Sequence, residues 1–113
     1  MGTPSRIDLT GKVAVVTGAG RGIGAAIAGA FAEAGADIVL ADLNNESAQQ
    51  TANRLTSFGR RALAVRTDVG VPLQVSQLFN TVQSEFGRLD ILVNNAGVWF
   101  RKPFLEISDS EWI

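Results

Sequence analysis

Four glycines at alternate positions form the part of this sequence with the clearest chemistry. The segment runs Thr17-Gly18-Ala19-Gly20-Arg21-Gly22-Ile23-Gly24, between an apolar run and a helical pattern. Because glycine has no Cβ, backbone N–H groups at a helix start can approach a phosphate closely, and the positive end of the helix dipole favours the anion. The segment therefore predicts a pyrophosphate-binding turn, a feature typical of dinucleotide sites.

A carboxylate follows at a spacing that suits the other end of the same ligand. Asp42 follows Gly24 at close to the spacing, roughly 20 residues, at which an acidic residue hydrogen-bonds the adenosine ribose. Its neighbours Leu43 and Asn44 bring no cation to offset repulsion of a 2′-phosphate, so Asp42 favours NAD over NADP. Arg21 favours the opposite choice, since it has the charge to hold such a phosphate. The alternative for Asp42 is a solvated strand end.

Two further segments fall where a bound dinucleotide would continue. Asp68 follows the third apolar run, where it suits either the adenine edge or a loop carboxylate that accepts backbone N–H bonds. Asn94-Asn95-Ala96-Gly97 forms a second glycine-bearing turn, after the fourth run. Beyond it, Val98-Trp99-Phe100 either line a substrate pocket or are exposed aromatic residues.

Alternating strands and helices must position these turns. Short apolar runs at 13–16, 38–41, 62–65 and 91–93 predict strands, and helical spacing between them predicts three helices that end at Gly35, Gly59 and Gly87. The predicted apolar stripes are Ile23, Ile27, Ala30, Phe31 and Ala34; Ala48, Ala52, Leu55 and Phe58; and Val75, Leu78, Phe79, Val82 and Phe86. This order predicts one α/β domain over residues 1–113, a Rossmann-like doubly wound parallel sheet in three αβα layers. With strand order 3-2-1-4, the two glycine turns flank the ligand-binding switch point.

The composition narrows the function classes. The 113 residues, 46% of them hydrophobic, suit a single core, and 10 basic and 11 acidic residues are scattered without a nucleic-acid or membrane-binding patch. The absence of Cys and His argues against a metal site and against thiol or imidazole catalysis. We find no signal peptide and no membrane-spanning run, which predicts a cytoplasmic protein.

The C-terminal residues predict an incomplete domain. Ser108-Asp109-Ser110-Glu111 has the spacing of a capping box, which announces a helix, yet the sequence ends at Ile113. We therefore expect a sheet truncated after its fourth strand.

The two turns resemble those of the short-chain dehydrogenase/reductase family of NAD(P)-dependent oxidoreductases, and the resemblance covers almost the whole chain. The family's T-G-x-x-x-G-x-G turn is matched at Thr17, Gly18, Gly22 and Gly24, and its N-N-A-G at residues 94–97. The resemblance implies that Asp42 selects NAD, that Asp68 and Val69 lie beside the adenine, and that residues 95–97 run beneath the cofactor. The candidate cofactor-binding residues are Gly18, Gly20, Arg21, Gly22, Ile23, Gly24, Asp42, Leu43, Asp68, Val69, Asn95, Ala96 and Gly97.

The resemblance also implies a reaction, hydride transfer between the nicotinamide and an alcohol or ketone substrate. The family uses an Asn, a Ser and a Tyr and Lys four residues apart, none of which can be placed here, since the sequence has no Tyr. We therefore expect this chain alone to be inactive, with homo-oligomers formed only by a full-length protein. The alternatives are a non-catalytic NAD-binding module or inactive truncated product, and a methyltransferase, because Gly20 to Gly24 fits G-x-G-x-G. That fold usually has an acidic residue where Thr17 stands.

Overall fold

In the computed structural model, which describes residues 7–95, strands and helices alternate along the chain. The elements are β1 (Val13–Thr17), α1 (Gly22–Glu33), β2 (Asp37–Asp42), α2 (Asn45–Leu55) with a 3₁₀ turn (Thr56–Phe58), β3 (Ala62–Arg66), α3 (Pro72–Phe86) and β4 (Ile91–Val93). The predicted strands are confirmed, and β4 has the predicted bounds. Between residues 7 and 95 no helix has the length and apolar character needed to cross a bilayer.

The strands form a parallel sheet in the order β3-β2-β1-β4. At its centre, Val15 is in register with Val39 of β2 and Leu92 of β4. All five residues of β1 are buried, as expected of a strand covered on both faces. The predicted order is confirmed, and it brings the carboxyl ends of β1, β2 and β4 to one edge of the sheet.

Alternate residues of the central strands supply two cores. Ala14, Val16, Ile38 and Leu40 face one side, where α1 and α2 cover the sheet. Val13, Val15, Val39 and Ala41 face the other side, where they pack with Leu78 and Val82 of α3. The period of two therefore separates the helices into two layers, which confirms the Rossmann-like αβα architecture.

The apolar stripe predicted for α1 is wrong in part. The buried residues of this helix are Gly24, Ala28 and Ala32, whereas Ile23 is 72% exposed. Small residues bring the helix close to the sheet, and they set the contact face in a segment where nearly every residue is apolar. Ala30, also predicted as core, is exposed as well.

The stripe predicted for the second helix is wrong at its last residue. Phe58 is 46% exposed, because α2 ends at Leu55 and the chain continues as a 3₁₀ turn with a different residue period. Gly59 then adopts a left-handed conformation with φ of 76°, which ends the segment at the predicted glycine.

Candidate dinucleotide-binding site

The glycine turn links β1 to α1 at the carboxyl edge of the sheet. The residue before α1, Arg21, is extended, and its side chain makes no capping hydrogen bond to the helix. The first N–H groups of α1 therefore lack the side-chain acceptor that usually satisfies one of them. Gly22 has φ of +64°, and no atom lies within 4 Å of the position that a Cβ would take. The turn thus combines available N–H donors with open space, as a phosphate site requires.

Gly24 packs the turn tightly on its other side. A Cβ at Gly24 would collide with the Gly18 carbonyl and would lie 2.8 Å from Asn95 Nδ2. The missing side chain therefore allows the glycine turn to fold back on itself beside the turn that follows β4. This contact brings together two segments that the sequence predicted on either side of the switch point.

A buried hydroxyl joins the same two turns. Thr17 is fully buried; its Oγ1 donates to Asn94 Oδ1 over 3.0 Å and accepts the Asn95 N–H over 2.9 Å. Thr17 was predicted as part of the motif but not as a site residue, because its partners lie more than 70 residues away. The predicted residues Ala96 and Gly97 lie outside the described residues.

The Asp42 carboxylate is held by two backbone groups. Asp42 is half-buried; its Oδ2 accepts the Gly20 N–H over 2.9 Å, and its Oδ1 accepts the Asn44 N–H over 2.9 Å. The structure therefore shows an anchored carboxylate rather than a strand end that meets only solvent. An ionised carboxylate has about four acceptor positions, so capacity remains for two more donors.

A cleft lies beside this carboxylate. It has a volume of ≈170 Å³ and is lined by Gly18, Ala41, Asp42, Leu43, Thr67 and Val69. Leu43 is 56% exposed and gives the cleft an apolar rim. The structure thus gathers four predicted residues from three separate connections. Thr67 was missed, and its place directly before Asp68 at the end of β3 was the available signal.

Asp68 makes the loop contacts that one of the two sequence interpretations predicts. Its Oδ1 accepts the Gly70 N–H over 2.9 Å, and its own N–H donates to Gln74 Oε1 over 2.8 Å. The neighbouring Val69, rather than Asp68, lines the cleft. Asp68 therefore shapes the loop between β3 and α3 that presents Val69.

Arg21 lies on a different surface from the cleft. Its side chain is exposed and lines a groove of ≈860 Å³ between α1 and α2, together with Arg54 and Phe58. Arg21 is not among the residues that line the Asp42 cleft. Of these two residues, whose charges favour different cofactors, only Asp42 lines the cleft.

The Arg88–Asp90 ion pair holds the start of β4 at the amino edge of the sheet. Asp90 accepts the Val13 N–H over 2.8 Å, and Arg88 donates to both of its oxygens over 2.8 and 2.7 Å. The Arg88 hydrogen bonds, followed by the bond from Val13, hold the pKa of the Asp90 carboxyl below its ordinary value. The pair holds β4 beside β1, and so it also positions the Asn94–Asn95 turn at the other end of the strand.

Comparison with known proteins assigns the chain to one protein family. The family model described as short chain dehydrogenase matches residues 12–113. The 7alpha-hydroxysteroid dehydrogenase of Escherichia coli is 43% identical over 98 residues, which are 87% of this chain and 38% of that protein. An uncharacterized oxidoreductase of Mycobacterium tuberculosis is 47% identical over 103 residues, which are 91% of this chain and 39% of that protein. The chain thus spans about two fifths of the length of these relatives.

A solved structure extends the likeness to the fold. L-Sorbose reductase from Gluconobacter frateurii, complexed with NADPH and L-sorbose, superimposes with a TM-score of 0.79 and is 42% identical. The match covers 96% of this chain and 41% of that one. The expected family resemblance is confirmed by sequence and by structure.

Proposed function

This chain belongs to the short-chain dehydrogenase family, and on that premise we propose that it binds a nicotinamide adenine dinucleotide at the carboxyl edge of its sheet, with NAD preferred to NADP. The observation that carries the proposal is the Asp42 carboxylate, which is anchored by Gly20 and Asn44 at the mouth of a cleft. In the whole protein, this site would serve an oxidoreductase that acts on an alcohol or ketone.

The adenosine end fits the described residues. The 2′- and 3′-hydroxyls of the ribose are donors, and Asp42 retains acceptor capacity for two of them. The adenine would lie in the cleft between Leu43 and Val69, which offer apolar contacts to its faces. The pyrophosphate would then meet the N–H groups at the start of α1, in front of Gly22, where the space is open.

The preference for NAD follows from charge. A 2′-phosphate at the same position would bring a dianion against the Asp42 carboxylate, and this repulsion is strong where water is partly excluded. Arg21 lines the groove between α1 and α2, whereas Asp42 is the charged residue among those that line the cleft. The similar L-sorbose reductase structure contains NADPH, and NADPH is therefore the second candidate cofactor.

Binding without turnover is the second part of the proposal for this chain. When bound, the nicotinamide supplies hydride transfer, but the substrate oxygen also needs a positioned proton donor or acceptor. The sequence contains no Tyr and no His. In this proposal, its candidate site residues would hold phosphate and ribose rather than a reacting carbonyl. The chain would therefore act as the cofactor-binding part of the reaction.

A pair of titrations tests the cofactor assignment. Fluorescence titration of the chain with NADH and with NADPH should give tighter NADH binding. The Asp42→Asn substitution should weaken NADH binding and strengthen NADPH binding. Glu46→Gln is the matched control, because it removes an exposed carboxylate from the first turn of α2 without touching the cleft. Tighter NADPH binding by the unmodified chain, or equal effects of the two substitutions, would contradict the assignment.

A further inference from the structure

A buried hydroxyl on α2 reaches the glycine turn. Thr51 is 1% exposed, and its Oγ1 donates to the Gly20 carbonyl over 2.9 Å. Arg54 Nη2 donates to the same Oγ1 over 3.2 Å. Because a guanidinium has donors only, the Thr51 oxygen must accept from Arg54, and its single proton is left for Gly20. The direction of both bonds is therefore fixed.

Gly20 is held on both of its peptide groups. Its N–H donates to Asp42 Oδ2, and its carbonyl accepts from Thr51. A Cβ at Gly20 would lie 2.7 Å from Ser47 Cβ and 3.0 Å from Asp42 Oδ2, so the backbone lies directly against the start of α2. A chain of hydrogen bonds thus runs from the Arg54 guanidinium through Thr51 and Gly20 to the Asp42 carboxylate.

We infer that Thr51 is a positioning residue for cofactor discrimination, acting on Asp42 through Gly20. The inference rests on the proposed function, in which Asp42 contacts the adenosine ribose. A carboxylate discriminates between a hydroxyl and a phosphate best when its own position is fixed, since a mobile one can turn away from the phosphate at little cost. Thr51 supplies that fixation without contacting the ligand itself.

The test compares a substitution that removes the Thr51 hydroxyl with one that keeps it. Thr51→Val removes the hydroxyl and leaves the buried Gly20 carbonyl without its donor, whereas Thr51→Ser keeps the hydroxyl. We expect Thr51→Val to weaken NADH binding about fivefold to tenfold and NADPH binding less than about twofold. The ratio of the affinities for NADH and NADPH should therefore fall. Thr51→Ser should remain within about twofold of the unmodified chain for both cofactors.

Amide hydrogen exchange gives a readout that needs no cofactor. The Gly20 amide should exchange about fivefold faster or more in Thr51→Val, because its Asp42 bond opens more often, and at the original rate in Thr51→Ser. Circular dichroism confirms that each variant is folded. Should Thr51→Val not fold, Arg54→Met takes its place, because it replaces an exposed side chain and removes the donor to Thr51. This variant should reduce the preference for NADH over NADPH by about twofold. An unchanged preference would overturn the inference.

The outcomes separate this inference from the proposed function. If the unmodified chain shows no NADH preference, or if Asp42→Asn leaves it unchanged, the proposed function fails first. If that preference depends on Asp42 but is the same in Thr51→Val, only the inference is overturned. Equal weakening of both cofactors in Thr51→Val would also overturn it, since that result describes a structural role alone.

Discussion

The Thr17 hydroxyl and the Asn95 backbone join the end of β1 to the turn after β4 by a hydrogen bond of 2.9 Å. Thr17 is fully buried, so the bond is shielded from water, and the same hydroxyl donates to Asn94. The two turns that flank the switch point are therefore positioned by one side chain at the carboxyl end of β1.

Removing that hydroxyl should loosen the second turn. We expect Thr17→Val to speed exchange of the Asn95 amide and to lower the free energy of unfolding by about 1 to 3 kcal/mol, because buried polar groups lose their partner. Thr81→Val is the control, since the Thr81 hydroxyl bonds the Gln77 carbonyl on an exposed part of α3. Denaturation curves with amide exchange by NMR measure both effects, and equal destabilisation by the two substitutions would count against this role for Thr17.

Two glycines with similar positive φ angles should respond differently to a methyl group. Gly22 and Gly59 have φ of +64° and +76°, and neither has an atom within 4 Å of a Cβ position. Alanine at either site should cost about 1 kcal/mol of stability through strain. Only Gly22→Ala should also weaken cofactor binding, by about tenfold, because its methyl group occupies the space in front of the α1 N–H groups. Calorimetric titration with NAD checks this, and unchanged affinity in Gly22→Ala would place the pyrophosphate elsewhere.

The Arg88–Asp90 pair should make the fold sensitive to acid. Hydrogen bonds from Arg88 and Val13 lower the pKa of Asp90 in the folded state. The unfolded chain therefore binds this proton at higher pH, so the contribution to stability is complete above the ordinary pKa of about 3.9 and is lost as pH falls through the folded value.

Asp90→Asn provides the measurement. The variant should be less stable than the original chain at pH 7, and the difference should shrink below about pH 4, where the original carboxyl becomes protonated. Glu33→Gln is the control, since it neutralises an exposed carboxylate at the end of α1. A stability difference for Asp90→Asn that stays constant from pH 7 to acid would show that the ionised form contributes nothing.

The chain should bind a reduced cofactor without consuming it in the presence of ketones. Loss of a positioned proton donor removes about a hundredfold to ten-thousandfold of rate, and the sequence offers neither Tyr nor His for that task. Absorbance of NADH at saturating concentration, with a panel of small ketones, should stay constant. Turnover that scales with protein and persists through repurification would contradict this expectation.

The sheet and the glycine turn could be predicted from the sequence because each depends on local signals. Unbroken apolar runs such as Val13 to Val16 mark buried parallel strands, and the alternation with helices restricts the strand order to a few topologies. The end of the 3₁₀ turn at Gly59 and the end of α3 at Gly87 followed from the same local chemistry. These elements could be predicted without knowing which distant residues are in contact.

The contacts within the site could not be predicted in this way. The Gly20–Asp42 bond and the Thr51–Gly20 bond join residues 22 and 31 positions apart, and they depend on how closely α2 approaches the turn. The buried face of α1 was also missed, because a helix rich in Ala and Gly gives little contrast between its faces. Asp68 was left between two interpretations for the same reason: only the fold shows that Gly70 is its partner.

A double-mutant cycle between protein and ligand measures the proposed hydrogen bond between Asp42 and the adenosine ribose. NAD and its adenosine 2′-deoxy analogue would be titrated calorimetrically into the original chain and into Asp42→Ala. Loss of the 2′-hydroxyl should weaken binding to the original chain by about tenfold or more, as expected for a hydrogen bond to a charged group, and should hardly affect binding to Asp42→Ala. Equal losses in both proteins would show that Asp42 does not contact this hydroxyl.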